Sequence, residues 1–241
     1  MSSGKPTKSR RAAQEAARRR TRNIVFAVVI VVVVAIGIAV WASNRTTTDT
    51  AAAAPAGVDA DLGIPVGTAT SPVVDIYEDF QCPICKVLED NVGATFLELA
   101  DNGQARVVYH IMSFLDVNLS NDSSTRAANA AGCAQDQGVF PAYHREVFAN
   151  QPANEGDGYT DEQLITFGES AGVPDMAAFE ACVTNLTYAD WVANVERLGE
   201  DAQISGTPTI LLNGNRLDIL GQATSWDEAI TILKTAVTQA D

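Results

Sequence analysis

Phe80-Gln81-Cys82-Pro83-Ile84-Cys85 places two cysteines two residues apart where an apolar, strand-like run, Val73 to Tyr77, gives way to a helical pattern. Proline suits the first helical position because the N–H it lacks would have no partner there. A helix starting at Pro83 puts Cys82 at the cap, its sulfur facing unpaired backbone N–H groups and the positive end of the macrodipole. Both favour the thiolate, which is the nucleophilic form of cysteine. Cys85 lies one helical turn on and on the same face, placed to attack a mixed disulfide formed at Cys82. One motif supplies an attacking and a resolving sulfur.

A C-x-x-C pair is also half of many zinc sites. The other half has no counterpart here: Cys133 and Cys182 are isolated, and His110 and His144, the only histidines, have no ligand-like spacing. The sequence therefore predicts no metal site, and the strand-to-helix setting argues against an inert disulfide at Cys82 and Cys85.

Outward from the motif, Val87, Leu88, Val92, Phe96, Leu97 and Leu99 fall near helical spacing, so a helix is expected from Pro83 to about Ala100, ending at Asp101-Asn102-Gly103. Arg106 to Met112 is a second strand. Strand, helix and strand make a βαβ unit, which closes as a right-handed crossover in a parallel sheet. Cys82 then sits at the C-terminal end of the first strand, where open α/β sheets keep their chemistry. From about 121 to 203 the pattern is helical: one helix from Ser123 or Ser124 through Cys133, a second around Tyr143 to Phe148, a third opened by the capping box Thr160-Asp161-Glu162-Gln163. Pro174 opens a fourth through Cys182, and Tyr188 to Ala202 makes a fifth. Strands return at Thr209 to Leu212 and Arg216 to Leu220, joined by Asn213-Gly214, a strong hairpin signal. Ser225-Trp226-Asp227-Glu228 starts a last helix.

Charge divides the chain. Residues 1–23 hold eight of the 16 Lys and Arg against one acid, Glu15, a net of +7; the other eight bases face 29 of the 30 acids, a net of −21. Between these halves Ile24 to Trp41 runs for 18 residues without a charge, about the minimum for a bilayer-spanning helix. The basic side is expected to stay in the cytoplasm, and Trp41 suits the opposite interface, sending the rest outside. Trp41-Ala42-Ser43-Asn44-Arg45 lacks a signal-peptidase pattern, which favours an uncleaved anchor. The adjoining span makes anionic lipid, rather than nucleic acid, the partner expected for the basic arm. Residues 42–60 lack apolar periodicity and read as a flexible tether with a reach of roughly 25 Å. Outside the cytoplasm cysteines can be held oxidised.

Asp79-Phe80-Gln81-Cys82-Pro83-Ile84-Cys85, the helical insertion, and Gly206-Thr207-Pro208-Thr209 before a strand and hairpin together resemble the DsbA-like branch of the thioredoxin superfamily, in its membrane-anchored actinobacterial form. The resemblance covers roughly 70–238. It implies an α/β architecture: a thioredoxin fold over 61–241 with an inserted helical domain, preceded by one transmembrane helix. It also implies dithiol–disulfide exchange in exported cysteine-containing proteins, without a bound cofactor, and a quinone-linked membrane partner that reoxidises the enzyme. Cys82 matches the nucleophilic, solvent-facing cysteine, Cys85 the buried resolving one, and Pro83 and Ile84 the dipeptide that tunes thiol acidity. Pro208 matches a proline held cis opposite the active site, and Thr207 the residue whose backbone pairs with the client. A proline at a strand's entry leaves neighbouring backbone free for an extended peptide, which agrees.

One departure stands out. Many members of the family that the chain resembles carry a buried acid six residues before the first cysteine, where this chain has Ile76. The proton-shuttling acid is therefore unassigned, and Glu78 and Asp79 read as exposed. His110 and His144 read as strand and helix residues without a special role. Cys133 and Cys182 lack a C-x-x-C partner or cap position, so a structural disulfide is expected rather than a second redox relay, although four cysteines formally allow three pairings. Closing a loop of about 50 residues is worth roughly 4 kcal/mol in the chain-entropy model. The expected function is that of an anchored, extracytoplasmic oxidase; the alternatives are a reductase or isomerase using the same residues, a non-catalytic peptide-binding or chaperone module at Thr207-Pro208, and a zinc-binding protein.

Overall fold

The structure is a computed structural model in which residues 53–240 are described. The basic tail (1–23) and the expected membrane span (24–41) lie outside the described residues, as does most of the tether (42–60). Among the described residues no helix is long and apolar enough to cross a membrane.

Five strands form one sheet: β1 (Ile64–Val66), β2 (Val73–Glu78), β3 (Arg106–Ile111), β4 (Thr209–Leu212) and β5 (Asn215–Arg216), in the order β1-β3-β2-β4-β5. The parallel pair β2 and β3, with Ile76 opposite Tyr109 and Tyr77 opposite His110, is the expected βαβ unit. β4 runs antiparallel to β2, with Thr209 opposite Tyr77, so the 207–208 peptide arrives beside the end of β2 that carries the cysteines. The crossover is α1 (Pro83–Leu88) and α2 (Ala94–Asp101), joined by a π-helical turn at Glu89–Gly93. Every residue at these junctions is right-handed helical, so the segment runs as one helix with a π-bulge.

A short helix, α3 (Leu115–Leu119), follows β3. The insertion is the expected five helices: α4 (Ser123–Asp136), α5 (Phe140–Ala149), α6 (Asp161–Ala171), α7 (Met176–Thr184) and α8 (Ala189–Asp201). Small residues let α4 run through the middle of it: Ala127, Ala128, Ala130, Ala131 and Ala134 are buried, and Gly132 lies where a Cβ would meet the rings of Tyr188 and Trp191. Thr160 and Gln163 cap α6 reciprocally, as the sequence predicts. Cys133 on α4 and Cys182 on α7 form a disulfide, tying two helices 49 residues apart.

Three details differ from the sequence reading. β1 carries too few residues for a periodic signal, yet closes the sheet edge against β3. The strand expected through Leu220 stops at Arg216, because Asp218 accepts the Gly221 amide (2.8 Å) and nucleates a turn of helix, α9 (Ile219–Gln222). The tether docks before residue 60: Pro55 is buried, and the Ala56 amide donates to Asp136 on α4 (2.7 Å). The closing helix, α10 (Trp226–Ala240), lays Ala229, Leu233 and Val237, four residues apart, into the core.

Candidate active site

Cys82 has an extended backbone (φ −76°, ψ 118°) and caps α1, with Pro83 at the first helical position. It keeps 8 % exposure and Cys85 none; both are free thiols. The peptide between Thr207 and Pro208 is cis. It turns the Thr207 carbonyl to within 3.5 Å of the Cys82 sulfur, where the thiol donates to it. Ile84, half-exposed, and Val87 leave an apolar rim beside the cysteine. The structure thus brings Cys82, Pro83, Ile84, Cys85, Thr207 and Pro208 together, Cys82 and Thr207 being 125 residues apart, and leaves Cys133 and Cys182 bonded to each other in the insertion.

The two sulfurs have opposite electrostatics. The Cys82 thiol is lowered to about 6, mostly because the Cys85 thiol donates to its thiolate, with the Cys85 and Ile84 amides adding to this against the pull of burial. The Thr207 hydroxyl helps as well. It is the one buried side-chain polar atom among the described residues that pairs with nothing when Cys82 is a thiol, so it is free to turn to the thiolate. Burial pushes Cys85 well up, and the hydrogen bond and charge of Cys82, then the charge of Glu78, push it further. In the reduced protein, alkylation of Cys82 is therefore expected to rise with pH to a plateau with a midpoint near 6, while Cys85 stays silent; peptide mapping after iodoacetamide pulses across pH 4–9 checks both.

The acids flanking the motif are not exposed. Glu78 is 3 % exposed and Asp79 fully buried, a correction with two distinct causes. Asp79 anchors the loop: its carboxylate accepts the Gln81 amide (2.9 Å), the Ser124 hydroxyl (2.6 Å) and the Leu115 amide (3.3 Å). Burial nevertheless pushes it up to about 7. The Gln81 side chain extends this lattice, its Nε2 lying within hydrogen-bond distance of Ser124 (2.8 Å), Asp116 and Asn121 (both 3.0 Å) and sharing its two N–H groups among them. From the far side Gln151 donates to the carbonyls of Phe80 (2.8 Å) and Cys82 (3.0 Å), and the Tyr159 hydroxyl to that of Phe80 (2.9 Å). The cysteine loop is held by the insertion.

Glu78 shares the sheet face of Ile76, two residues back along β2. Its carboxylate hydrogen-bonds His144 Nε2 of α5, and the other ring nitrogen lies 3.7 Å from Glu89 in the π-turn. Burial alone would lower His144; the charges and hydrogen bonds of Glu78 and Glu89 outweigh it and raise it to about 10. Burial raises Glu78 as well, with His144 opposing it. The rings of Phe80, Tyr109, Phe140 and Phe148 enclose the imidazole and keep water out. Neither His144 nor the insertion's polar braces have a local sequence signal.

Across the sheet, His110 Nε2 lies 3.1 Å from Asp75, and with Asp61 these are the described residues whose ligand atoms come within 4.8 Å of one another. The cysteines join no such set. Cys133 and Cys182 hold each other.

A family model described as thioredoxin matches residues 61–232. The chain belongs to the thioredoxin family. Among solved structures, the reduced disulfide bond oxidoreductase DsbG of Mycobacterium tuberculosis is 26 % identical with a TM-score of 0.62, over 74 % of this chain and 86 % of its own. Oxidised DsbA of the same organism is 25 % identical, with a TM-score of 0.57, over 74 % of this chain and 100 % of its own. MdbA of Actinomyces oris, a thiol-disulfide oxidoreductase, reaches a TM-score of 0.65 over 80 % of this chain and 96 % of its own at 24 % identity, which speaks for the fold alone. None of the curated proteins compared with the chain matches it. This thioredoxin-family chain is of the DsbA-like type seen in actinobacteria, and its enzyme class is thiol–disulfide oxidoreductase.

Proposed function

We propose that the protein is an oxidase that donates the Cys82–Cys85 disulfide to exported proteins. The observation that carries this reading is the acidity of Cys82: a thiol lowered to about 6 is roughly nine-tenths ionised at pH 7, which stabilises the reduced pair and makes its disulfide oxidising. In the forward reaction a client thiolate attacks Cys82 Sγ, the Cys82–Cys85 bond breaks, and Cys85 leaves as a thiolate that takes up a proton. The client's second thiolate then attacks the client sulfur of the mixed disulfide and releases Cys82 as its thiolate. Two electrons pass from client to enzyme. Cys85, whose thiol is buried and weakly acidic, needs its proton inside the fold, and the Glu78–His144 pair, whose charge Cys85 feels, is the group proposed to supply it. The Thr207 carbonyl and hydroxyl line the approach to Cys82, in keeping with a client backbone laid beside them.

The same proposal places the catalytic domain outside the cytoplasm, on a single span at 24–41 with the basic tail inside against anionic lipid. Reoxidation falls to a quinone-linked membrane partner. The charge asymmetry and the uncharged apolar run support this topology.

A redox titration in glutathione buffers, following each cysteine pair by alkylation and mapping, tests the direction. An oxidase is expected to show a Cys82–Cys85 disulfide that is reduced at potentials above that of thioredoxin, about −270 mV, by a wide margin, with Cys133–Cys182 bonded throughout. A potential at or below that of thioredoxin would make the protein a reductase.

A further inference from the structure

Beside the cis peptide lies a cleft of about 140 Å³, the size of one long side chain, walled by Met112, Phe114 and Ile204 and edged by Thr207. Its charged lining is acidic only: Glu196 and Glu200, both from α8. Glu196 is held by the Ser113 amide, which donates to it at 2.8 Å. Arg197, their neighbour on α8, points its guanidinium to Asp201 instead (3.1 Å). Apolar walls suit a methylene stem, and two carboxylates suit a cation at its tip. Burial pushes the Glu196 carboxyl up, the Ser113 amide opposes this, and the charge of Glu200 adds to it. An incoming cation would relieve that repulsion.

We propose that this cleft is a specificity pocket for a lysine or arginine flanking the reacting cysteine of the client. The inference rests on the oxidase reading. Thr207 belongs both to the cleft and to the wall of the Cys82 sulfur, so a client whose cysteine reaches Cys82 has its flanking side chains at the cleft's mouth. Successive side chains of an extended strand point to opposite sides, so the two neighbours of the cysteine share a side, roughly 7 Å apart, and the cleft has room for only one of them.

Dithiol peptides carrying Lys, norleucine or Glu at the residue before or after the first cysteine, reacted with the pre-oxidised full-length chain in detergent micelles, provide the test. The readout is the second-order rate of peptide oxidation, expressed as the Lys-to-norleucine ratio within each enzyme variant; a peptide's own thiol acidity then cancels between variants. The wild type is expected to favour Lys by about tenfold at one of the two positions, in line with about threefold for each solvent-accessible carboxylate. The ratio should fall below about twofold in Glu196→Gln/Glu200→Gln, and Glu200→Lys should turn the preference toward the Glu peptide. A ratio that is the same in all variants, or a wild type fastest with norleucine, overturns the pocket and leaves the oxidase standing. A wild type that oxidises none of the peptides overturns the oxidase reading, and the pocket with it.

Discussion

Cys82→Ser and Cys85→Ser are each expected to abolish disulfide transfer to a dithiol peptide, by at least about 10³-fold, but only Cys85→Ser keeps the first step of the reverse reaction, the attack of Cys82 on a client disulfide. The asymmetry follows from the site. Cys82 alone has a path to solvent, past the Thr207–Pro208 peptide, and its thiolate alone is stabilised, by the Cys85 thiol and the amides of Cys85 and Ile84. Reduced Cys85→Ser, offered a client disulfide, should accumulate a mixed disulfide through Cys82 that persists for hours, because no internal thiol resolves it. Cys85→Ala, which has no side-chain donor, also removes the largest contribution to the acidity of Cys82, so its alkylation midpoint should move up from about 6. Non-reducing electrophoresis and mass spectrometry read the adduct, and iodoacetamide pulses read the midpoint. An adduct trapped on Cys85 in Cys82→Ser, at a rate near that of wild type, would reverse the roles of the two sulfurs.

What could be read in the sequence is what the chain carries locally. The cap at Cys82, the proline at the first helical position, the Asn213–Gly214 hairpin and the Thr160–Gln163 box each declare themselves within a few residues, and the βαβ unit follows from two strands around one helical period. The five-helix insertion was legible for the same reason. Asp218 was not: it ends β5 by capping α9, whereas the apolar Leu217, Ile219 and Leu220 continue the strand pattern. The tertiary site is where local reading ends. Glu78 and His144 are 66 residues apart, and nothing in the neighbourhood of either names the other. Alternation along β2 did hold the clue, since the face that lacks an acid at Ile76 has one at Glu78. Reading it required knowing that α5 delivers an imidazole to that face.

His144→Ala is expected to destabilise the oxidised protein by about 5 kcal/mol at pH 8. About 2 kcal/mol is the cavity left among Phe80, Tyr109, Phe140 and Phe148. About 3 kcal/mol is the buried Glu78 carboxylate stripped of its partner. Adding Glu78→Gln removes that group, so the double variant should recover about 3 kcal/mol. Folding raises both members of the pair: Glu78 from 4.5, because burial outweighs His144, and His144 from 6.5 to about 10. In the wild type the contribution of Glu78 is whole below pH 4.5 and that of His144 below pH 6.5, and each drains as pH rises through the raised value. His144 lowers Glu78, so in the variant the carboxyl is raised further and holds its proton to higher pH. Asp79, raised to about 7, titrates alike in both and cancels, and in the oxidised protein neither Cys82 nor Cys85 titrates. Urea melts from pH 4.5 to 8 measure all three proteins. A double variant no more stable than His144→Ala would show that the imidazole does not offset the Glu78 carboxylate; recovery identifies a proton-binding pair beside Cys85, available to that sulfur when a client displaces it.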